Sequence, residues 1–325
     1  MNQGYAHPGW GGAPSPPLRR SGPAPVILGA LIGLALVMAG LVVYSLFSGP
    51  DYQNDDYVPP PAGQVKQLPF DQIDEDDLET LLVNNPLYAT AVPVPVRCEL
   101  TQPELDMASS SDAEVNAYID ELMGCAMRVW DRPFRQTERF ELVRPTVNVY
   151  HHTVQTPCGG GRESGPNASY CAANQQVYFS RQLANAHPSF SEFNDPHVVD
   201  LVMAHEFAHA VQARSTILFL SVLSGQQAAD PSVAQEFSRR TELQADCFAG
   251  QFVGAVRQSL AYDQADLERL YRVQDIIGDD NITGRPEVDG GHGHGASRQY
   301  WYQMGLSTPD VGACNTFTAP SDYVR

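Results

Sequence analysis

The chain has 325 residues, 43% hydrophobic and 18% charged, enough for one large domain or two small ones with appendages; this excludes a wholly disordered or fibrous protein. Twenty basic residues against thirty-eight acidic ones give a net charge of −18, so nucleic acid and anionic membrane faces are set aside as electrostatic partners. Six cysteines, none in a C-x-x-C pair, argue against a zinc ribbon or a redox dithiol.

Residues 1–25 are rich in Gly and Pro and carry no acid, with Arg19 and Arg20 near their end. Such a stretch buries too little apolar surface to order itself and reads as a disordered cytoplasmic tail. Residues 26–47 contain no charge in 22 positions. At the helical rise this run spans about 33 Å, the thickness of a bilayer core, and a single transmembrane helix is expected. A cleaved signal peptide fits less well, because the run exceeds the usual apolar core of such peptides and no small-x-small site follows Phe47. Arg19 and Arg20 before the helix, against Asp51, Asp55 and Asp56 after it, keep the N-terminus inside and place the rest on the outer side of the cell membrane. All six cysteines then face oxidising conditions, where three disulfides persist. About fifteen pairings are possible and the sequence does not choose among them; the expected set is Cys98 with Cys125, Cys158 with Cys171 and Cys247 with Cys314. Residues 48–85 combine Pro59, Pro60 and Pro61 with the acids Asp74, Glu75, Asp76, Asp77 and Glu79, and are expected to form an extended acidic stalk.

Residues 86–325 have the size of one compact domain and show no internal repeat. Apolar spacing at Val115, Ile119, Leu122, Ala126 and Val129 predicts a helix over 113–130, with Ser111 or Asp112 as its cap. Residues 140–150 and 176–180 read as strands. The pattern then turns helical over 196–214, 233–259 and 263–277, with a shorter helix after Gly295. Strands followed by helices imply an α+β domain.

On the first of these later helices stands His205-Glu206-Phe207-Ala208-His209. Residues four apart share a helical face, so both imidazoles can reach one zinc ion while Glu206 reaches the water beside it, the zincin arrangement. A catalytic zinc site takes three protein ligands, and the best third candidate is Glu242, with Asp246 one turn on able to orient a ligand imidazole as a second carboxylate. Acids at this spacing are common on solvated faces, but the next residues, from Cys247 to Val253, look buried, and two close carboxylates in a buried helix need a cation. Two His and one Glu resemble the gluzincin pattern.

The blocks His205-Glu206-Phe207-Ala208-His209-Ala210-Val211-Gln212, Glu242-Leu243-Gln244-Ala245-Asp246-Cys247-Phe248-Ala249-Gly250, Gly278-Asp279-Asp280, His294-Gly295-Ala296-Ser297 and Cys314-Asn315-Thr316-Phe317 resemble, in content and order, the putative neutral zinc metallopeptidase family of bacterial membrane-anchored proteins. The resemblance covers roughly residues 95–320, and Cys158-Gly159-Gly160 with Tyr170-Cys171 is similar to that family's Gly-rich cysteine loop. It implies a zincin-like fold and peptide hydrolysis assisted by zinc. Two features depart from the family pattern: the segment 216–236 is long, and His292 and His294 offer two histidines where the pattern has one. With Lys66 as the only lysine, the chain also looks like one from a GC-rich bacterium.

The implied roles are His205, His209 and Glu242 as zinc ligands, Asp246 behind them, Glu206 as general base and His294 as the group that steadies the oxyanion, with Tyr300 as a second choice. Asp279 and Asp280 read as turn formers rather than a cation site, and His151 and His152 as structural or exposed. The expected partners are a peptide or protein substrate and, through the N-terminal helix, the membrane. The alternative function is a zincin-fold surface scaffold with weak or no turnover, disfavoured because Glu206 serves catalysis and not metal binding.

Overall fold

The structure is a computed structural model that describes residues 25–325 apart from 48, 64, 186–191 and 193; the side chains of 25–28, 41–47, 71, 72, 75 and 79 also lie outside that description. The expected disordered tail therefore falls outside the described residues, save its last position. The chain divides into two units, 1–50 and 51–325. In the first, helix α1 (Pro25–Phe47) forms where the apolar run predicts it. Among the described residues no helix is long and apolar enough to cross a membrane; in α1 that description of side chains reaches only residues 29–40, where Leu31, Leu34 and Leu36 are exposed.

The second unit mixes helices with a small sheet. It runs through α2 (Glu75–Thr80), α3 (Asp112–Thr137), β1 (Thr146–Tyr150), β2 (Thr153–Gln155), β3 (Arg162–Ser164), β4 (Ala168–Cys171) and β5 (Gln176–Ser180). Then come α4 (Pro196–Arg214), α5 (Ile217–Gln227), α6 (Pro231–Val256), α7 (Gln264–Ile276), α8 (Asp279–Thr283) and α9 (Gly295–Ser307). β5 is central, parallel to β1 (Thr146 opposite Gln176) and antiparallel to β4 (Ala168 opposite Phe179), while β2 and β3 form a separate hairpin. β4 is thus an edge strand of its sheet.

Local chemistry sets the helix starts. Ser111 caps α3 in a capping box with Glu114. Asp195 and Asp230 accept from the backbone ahead of Pro196 and Pro231, which occupy the first turns of α4 and α6. α4 is buried nearly all round because α3, the sheet, α6 and α7 pack against it. Asp200 fixes its orientation, accepting hydrogen bonds from the hydroxyls of Tyr118 (2.7 Å) and Tyr262 (2.6 Å). One core runs through the unit, with Trp130, Phe134, Phe207, Phe248, Phe252 and Tyr302 fully buried and the rings of Trp130 and Phe248 4.9 Å apart.

Three expectations are corrected. The segment 48–85 is no free stalk from Asp51 onward: Asp55 pairs with Arg97, Asp77 with Arg139, and Leu81 and Leu82 bury against Ile217 and Leu220. Asp55 and Asp77 each find a specific cation elsewhere in the unit, which the charge run alone does not reveal. The strand expected from residue 140 starts only at Thr146, because Pro145 lacks a donor for the ladder; Phe140, Leu142 and Val143 fill the core from a loop. The long segment 216–236 holds a helix, α5, that periodicity did not announce.

All three expected disulfides are present: Cys98–Cys125, Cys158–Cys171 and Cys247–Cys314. The last closes a span of 67 residues, worth about 4 kcal/mol by chain entropy, and ties α6, next to Asp246, to the C-terminal segment. α6 and α9 cross at two glycines: a Cβ on Gly305 would run into the carbonyl oxygen of Cys247, and one on Gly250 into that of Tyr302. Replacing a helical Gly by Ala ordinarily gains about 1 kcal/mol. Here the overlap is with backbone, which cannot rotate away, so we expect Gly305→Ala to destabilise the protein by about 1–3 kcal/mol or more, read as a lower denaturation midpoint in urea. An unchanged or higher midpoint would contradict the close crossing.

Candidate metal centre

α4 and α6 lie side by side, and the face of α4 carrying His205 and His209 meets the face of α6 carrying Glu242 and Asp246. The two imidazole rings are perpendicular, with centroids 4.8 Å apart. Glu242 spans them, one oxygen 3.1 Å from His205 Nε2 and the other 3.6 Å from His209 Nε2. One ligand atom from each of the three residues falls within 4.8 Å of the others. Ligands around a tetrahedral zinc at about 2.0–2.1 Å stand roughly 3.4 Å apart, so this set fits one zinc ion.

The groups behind the ligands set their tautomers. His205 Nδ1 donates to Asp246 Oδ1 at 2.9 Å, and His209 Nδ1 donates to Gln212 Oε1 at 2.8 Å, leaving both Nε2 lone pairs for a metal. Gln212, fully buried, is itself fixed by donating to the Thr241 carbonyl and to Gln244. Asp246 Oδ1 also accepts from Arg298 Nη2 at 2.8 Å, while its buried Oδ2 has no partner among the described residues.

Charge makes the same case. Glu206, Glu242 and Asp246 are drawn together out of water with Arg298 as the neighbouring guanidinium, a surplus of negative charge that a divalent cation offsets. Burial pushes the His205 imidazole down, but its hydrogen bonds to Asp246 and Glu242 and their charges overcome this and carry it up to about 10. Burial pushes Glu242 up, yet the charges and hydrogen bonds of the two histidines hold it well below the ordinary range. Without the ion, protons on imidazole stand where the metal charge would be. Burial holds the Glu206 carboxyl above its ordinary range, against the charges of His209 and His205.

The site opens into a cavity of about 500 Å³ lined by His205, Glu206, His209, Glu242, Asp246, His292 and Arg298. Its opposite wall is the edge strand β4, through Ala168, Ser169 and Tyr170. His294, the expected oxyanion group, is not in this lining: its ring points to the Val288 carbonyl and the Asp289 carboxylate, each 2.9 Å away. It caps α9, and its backbone N–H donates to the carbonyl of Arg325. Tyr300 meets Trp301 edge-on and Tyr323 at a tilt, and does not line the cavity either. The histidine of this loop that faces the cavity is His292. Asp279 accepts from the N–H groups of His292 (2.8 Å) and Gly293 (3.0 Å), and Asp280 from that of Gly295 (2.9 Å), so these acids organise the loop as the turn reading expects. The Asp279 hydrogen bond raises the imidazole of His292, whose side chain is exposed. His151 and His152 are exposed, paired with Asp112 and Gln182.

Arg298 and Gln212 were not foreseen. Gln212 stood in plain view three residues after His209; Arg298 could be inferred only from the need of a buried Asp246 for a cation.

A model of the putative neutral zinc metallopeptidase family matches residues 87–317, and the chain belongs to that family. An uncharacterized protein of Mycobacterium tuberculosis is 31% identical over 193 residues, 54% of this chain and 63% of that relative. The uncharacterized protein YpfJ of Escherichia coli is 28% identical over 215 residues, 64% of this chain and 74% of the relative. The chain thus spans 63% of the length of the mycobacterial relative, and no solved structure matches it.

We expect the purified full chain to bind one zinc ion. Against burial, Asp246 and Glu242 carry the His205 imidazole up to about 10 and Glu242 also raises His209, so at pH 8 imidazole protons must leave before the nitrogens can bind, and zinc binding should release at least about one proton per ion. Calorimetry in buffers of different ionisation enthalpy reads this number. Glu242→Ala should abolish tight binding, and Asp246→Ala should weaken it about 10- to 100-fold. Equal zinc retention in both variants would contradict the assignment.

Proposed function

We propose that this chain is a zinc-dependent endopeptidase of zincin-like fold, anchored by α1 with its active site on the outer side of the cell membrane. The observation that carries the enzymatic reading is that Glu206, a carboxylate with no role among the three ligand atoms, lines the same cavity and is 7% exposed. A scaffold that only holds zinc has no use for it.

Bound by His205, His209 and Glu242, zinc would supply a Lewis acid that acidifies water and polarises a carbonyl. The chain's own groups do the rest. Glu206 accepts the proton of the attacking water on its carboxylate and returns it to the departing amine, and its burial brings it nearer to neutrality than an exposed carboxylate, which suits that exchange. Asp246, held by Arg298, keeps the His205 ring oriented, and Gln212 does so for His209. His292, held by Asp279, donates to the oxyanion. Among the described residues β4 has no second strand partner, so it offers an edge along the cavity on which an extended peptide can lie as an added strand, and this favours a peptide over a small-molecule substrate.

The anchor rests on the uncharged run 26–47, on exposed Leu31, Leu34 and Leu36 in α1, and on the arginines before and aspartates after it. Three disulfides agree with an oxidising compartment.

Glu206→Gln should abolish peptide hydrolysis while zinc content and melting temperature stay unchanged, since the amide keeps the shape but accepts no proton near neutral pH. His292→Ala should slow turnover about 10²- to 10³-fold with zinc retained, and His294→Ala should act on stability instead. The wild-type rate should rise with pH along an acidic limb as Glu206 ionises, and burial places that limb above the range of an exposed carboxylate. Full activity in Glu206→Gln would refute the mechanism. In intact cells, the chain should stay with membranes after an alkaline wash and be cut by added protease; release into the soluble fraction would refute the anchor.

A further inference from the structure

The segment between the two ligand-bearing helices carries α5, and its geometry gives that helix a use. The chain leaves α4 through Thr216, a fully buried β-branched residue at φ 71° whose hydroxyl has no partner among the described residues. Such a residue in the left-handed region is strained, and the surrounding fold must offset the cost. The turn starts α5 at once and lays it beside the metal cavity, with Ile217 and Leu220 packed on Leu81 and Leu82.

Leu218, Val222 and Gly225 share the other face of α5, at helical spacing. Across from them Ala234, Ser238 and Glu242 share one face of α6, and the two rows line a groove of about 500 Å³. Leu218 and Glu242 belong to the metal cavity as well, so the groove adjoins the metal ligands. Val222 is 51% exposed in it. Two of its hydroxyls are engaged, Thr241 donating to Ser221 (2.7 Å) and Ser221 to the Phe237 carbonyl (3.0 Å), and Ser238 and Gln226 are the further polar side chains of its mostly apolar lining. Among the described residues the one charged side chain in the lining is Glu242, which belongs to the proposed metal site. A polar side chain entering here would lose water for little return, and an apolar one would gain by burial.

We propose that this groove is the pocket for a large apolar side chain, Leu, Met or Phe, of the substrate residue next to the scissile bond, with Leu218, Val222 and Ala234 determining specificity. The proposal rests on the peptidase reading of the adjoining site. It is tested first by binding, with the zinc-loaded Glu206→Gln full chain and fluorescein-labelled alanine-based peptides that differ at one internal position. The Leu peptide should bind about 10- to 100-fold more tightly than the Asp peptide. Adding Val222→Arg should abolish or reverse that preference, and Ala234→Leu should shift it toward smaller side chains, with zinc content and melting temperature unchanged in both. The second arm is cleavage of a peptide library by wild type, where one position flanking the cut should be enriched in large apolar residues. Cleavage without such enrichment, or a Leu preference untouched by both groove variants, would overturn the pocket while leaving the peptidase reading intact. A Leu preference that the variants abolish, in a protein whose wild type cleaves nothing, would uphold the pocket and sink the peptidase.

Discussion

The structure depends on how it holds negative charge out of water. Glu206, Glu242 and Asp246 lie on two neighbouring buried helices, and an uncompensated carboxylate in such a place would cost several kcal/mol. Arg298 meets one of them, and two imidazoles, which with Glu242 form a set of ligand atoms able to hold one divalent ion, meet the rest. This requirement explains features that otherwise look unrelated. α9 must cross α6 closely enough for Arg298 to reach Asp246, hence the glycines at 250 and 305. α4 must not rotate, hence two tyrosine hydroxyls on Asp200. α6 must not slide, hence a disulfide one residue after Asp246.

Around that centre the chain separates holding from reacting. Asp246, Gln212 and Arg298 touch ligands or each other and fix geometry, while Glu206 and His292 reach into open space where a substrate would sit. The edge strand β4 closes one side of the cavity and α5 adjoins another. The sheet is small, but its position makes it a wall of the site rather than a remote scaffold.

The centre was legible in the sequence because helical spacing converts directly into a shared face: His205 with His209 and Glu242 with Asp246 needed only the period of a helix. The bounds of α4 and the disulfide pairing were anticipated as well. What stayed hidden depends on contacts between distant segments. Nothing local says that Asp77 meets Arg139 across 62 residues, and so the acidic run read as a free stalk. Nothing local separates His292 from His294 either, since both sit among glycines; the difference comes from Asp279 and Asp280 pinning the loop backbone, with His294 turned toward Asp289. α5 escaped notice because its apolar residues face both the core and the open groove, which erases a one-sided pattern.

The central claim is that one zinc ion sits between α4 and α6, bound by two imidazoles and a carboxylate. X-ray absorption at the zinc edge, on the purified full chain, tests it most directly. The account predicts a first shell of nitrogen and oxygen only, at about 2.0–2.1 Å, with outer-shell scattering from two imidazoles that falls to one in His209→Ala. A shell containing sulfur, or an imidazole signal indifferent to His209, would contradict it.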